Sequence, residues 1–342
     1  MEVQAKGKQF DSIQLMRGIA ALSVVFAHIT MFGSGVFGVD LFFLISGFIM
    51  THVTRYGTKH FLVKRVIRIV PLYWLMTLAT AALLILMPQY FRTTVFSTAG
   101  LIKSLLFIPM NEIGPSGDVA NSLLGVGWTL ILEVFFYIIF FICASVNNKH
   151  RVAIATSVLC FLVLLGLIFY DSENLFISFF AQPIMLEFAL GMLLYKLLCE
   201  SRFANHSLKT KAGRIVCLCA AAIIWAAMFS FDYIPFIYDM SRILKFGLPS
   251  FAVFILIFKG TEGLKIPKPF LMLGDISFSL YLTHSFVVQG FSRLIYNIDY
   301  FSLKGLILVF IAVIPAVIIT AFISWYIIEN KFTGFLKKKL IK

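Results

Sequence analysis

At 342 residues the chain is 60% hydrophobic, 13% charged and carries a formal net charge of +13. Soluble domains run nearer roughly 45–50% apolar and about a quarter charged, so this composition excludes an ordinary soluble protein and reads as a polytopic membrane chain. The basic excess comes without an aromatic–basic RNA motif or a zinc-finger spacing, which sets nucleic acid aside as a partner, and the 38 phenylalanines suit lipid-facing and helix-packing surfaces.

In chain order, the first ten residues, MEVQAKGKQF, are polar. The apolar run behind them holds Arg17 and His28 and no small-residue cleavage site, so it reads as a retained first span rather than a signal peptide. About ten apolar segments follow one another, each about twenty residues long, as a ~30 Å hydrocarbon core requires. Their approximate ranges are 12–31, 36–54, 69–88, 126–146, 152–170, 178–198, 214–231, 244–259, 271–294 and 304–328. The fold expected is an all-α transmembrane helix bundle. It divides into a cytoplasmic segment 1–10, a membrane domain 11–330 and a basic cytoplasmic tail 331–342. Pro183 and Gly191 interrupt the sixth span. Pro71 is expected in the first turn of the third, where a missing N–H costs nothing.

The charges orient this map. With both termini cytoplasmic, most of the 29 lysines and arginines fall on the inner side. Among them are Lys64, Arg65 and Arg68 before the third span and Lys331, Lys337, Lys338 and Lys339 at the end, while Arg242 is one of the few near or in outside segments. Such asymmetry sets orientation, and it also favours anionic headgroups of the bilayer. The long outer connection, about 89–125, contains LIKSLLFIPM, an apolar run too short to span and suited to a re-entrant or interfacial cap. None of Cys143, Cys160, Cys199, Cys217 and Cys219 lies in a segment placed outside the membrane, so they read as small buried hydrophobes, with no disulfide or metal site expected.

Ionisable residues inside spans are functional candidates by default. Arg17 and His28 are eleven residues apart, which brings a helix back to nearly the same face with an axial separation of about 16 Å. His28, Asp40 and Glu133 are expected at one outer level, the last two about 6 and 10 Å below the starts of their spans. Arg65 and Arg68 are three apart, one face of a helix suited to phosphate as well as to headgroups. Ser277, Tyr281 and His284 fall at i, i+4 and i+7 on one face of the ninth span. With Trp128 they are expected along a pore or at the acceptor. Glu187 lies mid-span with no role assigned.

RGIAALSVVFAH, GVDLFFLISGFIM, RVIRIVPLYWL, GWTLILEVFFY and SFSLYLTHS together resemble, in order, the signature blocks of the integral-membrane acyltransferase 3 family. Within it the chain is most similar to bacterial exopolysaccharide and O-antigen acetyltransferases. The resemblance implies a ten-helix core, a cytoplasmic acyl-coenzyme A donor, most simply acetyl-coenzyme A, and a carbohydrate or lipid-linked glycan acceptor at the outer face. It matches Arg17 and His28 to the family's Arg-ten residues-His motif, Arg65 and Arg68 to its donor-associated Arg-x-x-Arg, and Glu133 to the acid of its Trp-Thr-Leu block. His28 is then the expected general base, Asp40 or Glu133 the group that fixes its tautomer, and Arg17, Arg65 and Arg68 the donor-binding set. No tightly bound cofactor is expected, and monomer and dimer stay open. A proton-coupled transporter or flippase is the competing class, because intramembrane His, Asp and Glu serve a proton relay equally well.

Overall fold

The computed structural model describes residues 10–29, 36–91, 94–113, 119–169, 174–205, 210–230, 240–294 and 302–341. The polar segment 1–9 and positions 114–118 of the long connection, both assigned above, lie outside the described residues.

The chain starts with α1 (Asp11–His28), α2 (Gly38–Val53) and α3 (Phe61–Leu86), then a short α4 (Thr98–Leu105). A two-residue antiparallel hairpin follows, β1 (Glu112–Ile113) against β2 (Val119–Ala120). It is the one departure from an all-helical fold among the described residues. Next come α5 (Gly127–Val146), α6 (Arg151–Ile168), α7 (Leu175–Phe180) and α8 (Leu186–Tyr195). After α9 (Lys211–Met228), α10 (Met240–Arg242) runs through a π-helical turn into α11 (Leu248–Gly260). Beyond α12 (Lys268–Asp275) and α13 (Ser277–Leu294), three helices join through π-helical turns into one rod, Leu303–Leu340: α14 (Leu303–Leu308), α15 (Ile314–Ser324) and α16 (Thr333–Leu340).

Seven of these stretches are long and apolar enough to cross a membrane, and eight if the bent pair α12–α13 counts as one. The first two expected spans are helical but fall short of that test. α2 is 16 residues long, and α1 carries Asp11, Gln14, Arg17 and His28 within 18. Both are wrapped by protein. Leu41, Leu44 and Phe48 of α2 are fully buried, as are Met16, Ala20 and Ala21 of α1. Lipid instead meets α6, α9 and the terminal rod, whose apolar windows are mostly unburied.

Several boundaries correct the sequence reading. α3 begins at Phe61, so KRVIR lies within the helix and Pro71 sits in its interior instead of its first turn. Proline there removes one backbone bond, which helix packing in membranes tolerates. The ninth span is broken at Ile276 by a 72° bend. Pro183 breaks the sixth span, where a 3-10 turn (Pro183–Met185) separates α7 from α8. Gly191 does not break it. Of the cysteines, only Cys143 is buried, while Cys160 and Cys219 are exposed on the helix surfaces.

Gly191 serves contact instead. A Cβ there would stand 2.1 Å from the Leu44 carbonyl oxygen, and one at Gly47 would stand 2.1 Å from the Phe188 carbonyl oxygen. α2 and α8 thus touch backbone to backbone, the small-residue packing that replaces the hydrophobic effect within lipid. Gly191→Ala is expected to force the pair apart and destabilise the detergent-solubilised protein by about 1–3 kcal/mol. A thermal melt unchanged from the parent protein would contradict that contact.

Candidate functional site

Two cavities meet along α1. The first holds about 340 Å³ and is lined by Gln14 and Arg17 from α1, Ser46 from α2, Arg65 and Arg68 from α3, Glu133 and Tyr137 from α5, and Ser277 and Tyr281 from α13. Helical spacing explains the convergence. Gln14 and Arg17 are three apart, Arg65 and Arg68 three, Glu133 and Tyr137 four, and Ser277 and Tyr281 four, so each helix contributes one face.

Within it the polar groups are partly paired. Arg17 Nη1 donates to Gln14 Oε1 at 3.0 Å, and Gln14 Nε2 donates to Asp275 Oδ1 at 2.7 Å, tying α1 to the end of α12. Glu133 accepts from Ser46 Oγ at 2.7 Å and from the Tyr137 hydroxyl. Arg65 Nε and Nη1 are buried and meet no acceptor among the described residues. Arg17 lies within electrostatic reach of Arg68, Glu329, Asp275 and Glu133. The terminal rod brings Lys337 to Arg65, Arg68 and Lys64, a contribution the sequence reading assigned only to a tail. Glu329 docks that rod on α13, accepting from the Ser279 amide at 3.0 Å and its hydroxyl at 2.6 Å.

The second cavity is larger, about 740 Å³, and contains His28. Residues 119–126, from β2 to the start of α5, form part of its wall, so the long connection contributes to a cavity through this stretch and not through its apolar run. Tyr90, Phe91, Trp128 and Phe286 supply aromatic faces, and Thr94, Asn121, Ser122, Ser285 and Gln289 supply neutral polar groups. His28 is exposed there. Its Nδ1 lies 2.8 Å from the Val24 carbonyl oxygen. A carbonyl only accepts, so Nδ1 carries the hydrogen and Nε2 presents its lone pair.

The acidic partners expected behind His28 stand elsewhere. Asp40 is fully buried and its Oδ2 accepts from Arg242 Nη2 at 2.5 Å. Glu187 lies beside this pair, within electrostatic reach of both. Arg242 itself lines the second cavity, and the sequence reading treated it only as an outside charge. Glu133 belongs to the first cavity. The depth argument took position 126 as the membrane boundary, but residues 119–126 line the second cavity beside His28. A residue about 10 Å further along α5 therefore falls in the other chamber. His284 lines neither cavity; its ring stands edge-on to His28, centroids 4.8 Å apart at 71°.

Arg17 and His28 thus face different chambers. These share two wall residues, Val39 and Tyr281. The Tyr281 hydroxyl lies 2.8 Å from Thr129 Oγ1 and 3.2 Å from the Val126 carbonyl oxygen, which pins the ring to α5, and its ring meets Phe42 at 5.9 Å.

The family profile described as an acyltransferase domain (Acyl_transf_3) matches residues 10–328. The chain belongs to the acyltransferase 3 family. It is an integral-membrane acyltransferase, which displaces the transporter class raised from sequence. Among curated proteins it is similar to the exopolysaccharide production protein ExoZ of Rhizobium meliloti (strain 1021), 29% identical over 75% of this chain and 78% of that one. Nodulation protein 10 of Rhizobium leguminosarum bv. viciae is 26% identical over 82% and 83% of the two chains. YrhL of Bacillus subtilis (strain 168), a candidate peptidoglycan O-acetyltransferase by name, is 23% identical over 79% of this chain but only 47% of its own length. No solved structure matches the chain.

For the buried ion pair of this family member, removing one partner strands the other. Asp40→Asn is expected to cost about 3–5 kcal/mol of stability. The double variant Asp40→Asn/Arg242→Gln should recover part of that loss. Equal thermal melts for the single and double variants would show that the pair is not coupled.

Proposed function

We propose that the chain transfers a short acyl group, most simply acetyl, from cytoplasmic acyl-coenzyme A to a hydroxyl of a cell-surface or exported carbohydrate. One observation carries this reading: a chamber lined by Arg17, Arg65 and Arg68, with Arg65 Nε and Nη1 unpaired, shares its Val39 and Tyr281 walls with a chamber holding His28, whose Nδ1 is turned to a carbonyl.

The donor end follows from charge. Arg65 and Arg68 hold the coenzyme's phosphates, with Lys64 and Lys337 at the rim, because planar guanidinium forks match phosphate oxygens. Arg17 contacts polar groups further along, and Glu133, held by Ser46 and Tyr137, keeps Arg65 aligned. The axial run of about 16 Å from Arg17 to His28 suits an extended pantetheine arm. Tyr281 must swing from Thr129 and Val126 to let the thioester through.

The acceptor end follows from shape and polarity. Aromatic faces stack on the C–H faces of a sugar, and the neutral amides and hydroxyls bond its hydroxyl groups. The names of ExoZ and YrhL, an exopolysaccharide protein and a candidate peptidoglycan acetyltransferase, support a carbohydrate here. His28 Nε2 takes the proton of the attacking hydroxyl as oxygen bonds to the thioester carbonyl carbon. The C–S bond then breaks, and the leaving thiolate takes the proton from the imidazolium. The products are an O-acyl sugar and free coenzyme A. The Val24 carbonyl does the orienting that a carboxylate does in a Ser-His-Asp triad.

The topology completing this reading has ten spans, counting α1 and α2, with both termini cytoplasmic as the basic asymmetry requires. Residues 11–330 form the catalytic membrane domain, flanked by the cytoplasmic segments 1–10 and 331–342.

Inverted membrane vesicles from cells making the chain supply the natural acceptor, so labelled acetyl-coenzyme A added outside them should label polysaccharide. His28→Ala is expected to abolish this labelling while the protein still inserts. Near-normal labelling by that variant would remove His28 from the chemistry. Arg65→Ala is expected to raise the KM for acetyl-coenzyme A about tenfold or more, as loss of a charge-assisted bond does, with kcat little changed. An unaltered KM would leave Arg65 as a topology charge only.

A further inference from the structure

His284 is a buried imidazole that the mechanism above does not use. It is fully buried on α13. Its Nδ1 lies 2.7 Å from the Tyr281 carbonyl oxygen and 3.2 Å from that of Leu280. Those carbonyls only accept, so Nδ1 carries the hydrogen. The remaining polar atom, Nε2, is a buried acceptor with no partner among the described residues.

An unpaired buried acceptor is destabilising, and a phenylalanine or leucine would fill the same volume without it. The neighbour that makes sense of the imidazole is His28, whose ring stands 4.8 Å away at 71°. The two rings are turned alike: each spends Nδ1–H on a carbonyl of its own helix, and each keeps a lone pair on Nε2. His284 therefore offers His28 an electron-rich partner that donates nothing to it. While His28 is neutral this partner gains little. Once His28 holds the acceptor's proton, its charge is attracted to the neighbouring, fully buried ring.

Resting on the acyltransfer reading, we propose that His284 is a positioning residue that holds the His28 ring and favours its protonated form during transfer. It touches neither substrate, so its effect falls on turnover and not on donor binding.

The vesicle assay separates the possibilities. His284→Phe is expected to lower kcat at least tenfold with the KM for acetyl-coenzyme A unchanged and the protein level normal by immunoblot. His284→Gln, which returns an acceptor oxygen to the site, should recover part of the lost rate. Wild-type kcat in His284→Phe, or equal losses in the Phe and Gln variants, overturns the proposal. Should His284→Phe fail to accumulate, the Gln variant decides alone: a rise in KM with kcat intact overturns it, and a lowered kcat with KM intact supports it. Labelling that is missing from the wild type sinks the acyltransfer reading itself and is told apart from these outcomes, while labelling that persists in His28→Ala removes His28 from the chemistry and overturns the role of His284 with it.

Discussion

Close approach of backbones is the constraint on which this bundle depends. A Cβ at Gly38 would lie 2.3 Å from the Ala20 carbonyl oxygen, and one at Gly274 would lie 2.1 Å from that of Gln14. Together with Gly47 and Gly191, these contacts clamp α12 to α1, α1 to α2, and α2 to α8. Lipid offers no hydrophobic drive for helices to associate, so packing of this kind does the work. Because the clamped helices cannot spread, space opens only where side chains leave it, and the two cavities lie along that seam.

The same clamp explains how ionisable groups survive inside. Several take partners from a neighbouring helix, Arg242 for Asp40, Ser46 for Glu133 and Ser279 for Glu329, and others from their own, Tyr137 for Glu133 and Gln14 for Arg17. Isolated charges in hydrocarbon are costly, so they collect where protein or cavity surrounds them. Arg65, Glu187 and His284 stand out against this background because part of their hydrogen-bonding capacity is unspent.

Much of the site was legible in the sequence because helical spacing is a reliable ruler within one helix. Arg17 with its cavity, the Arg65 and Arg68 face, and the Ser277–Tyr281 face follow from i, i+3 and i+4 alone. Depth comparisons between helices fared worse. Glu133 and His28 were placed at one level, yet they line different cavities, and residues 119–126 before α5 line the one that holds His28. Partners far apart in sequence were also invisible. Asp40 and Arg242 are 202 residues apart, and no local pattern pairs them. Arg242 and Lys337 looked like topology charges because the positive-inside rule counts charges without asking which ones fold back onto the bundle. The bend at Ile276 and the π-helical turns in the terminal rod leave no hydropathy signature, since apolar character runs straight through them.

Tyr281 lines both chambers. A passage through a membrane is also an electrical path, and an energised bilayer would drive protons along any continuous column of water. In the proposed transfer, a ring that yields to the thioester arm lets the arm itself stand in for it, so that the chemistry would proceed across the sheet while its insulation holds.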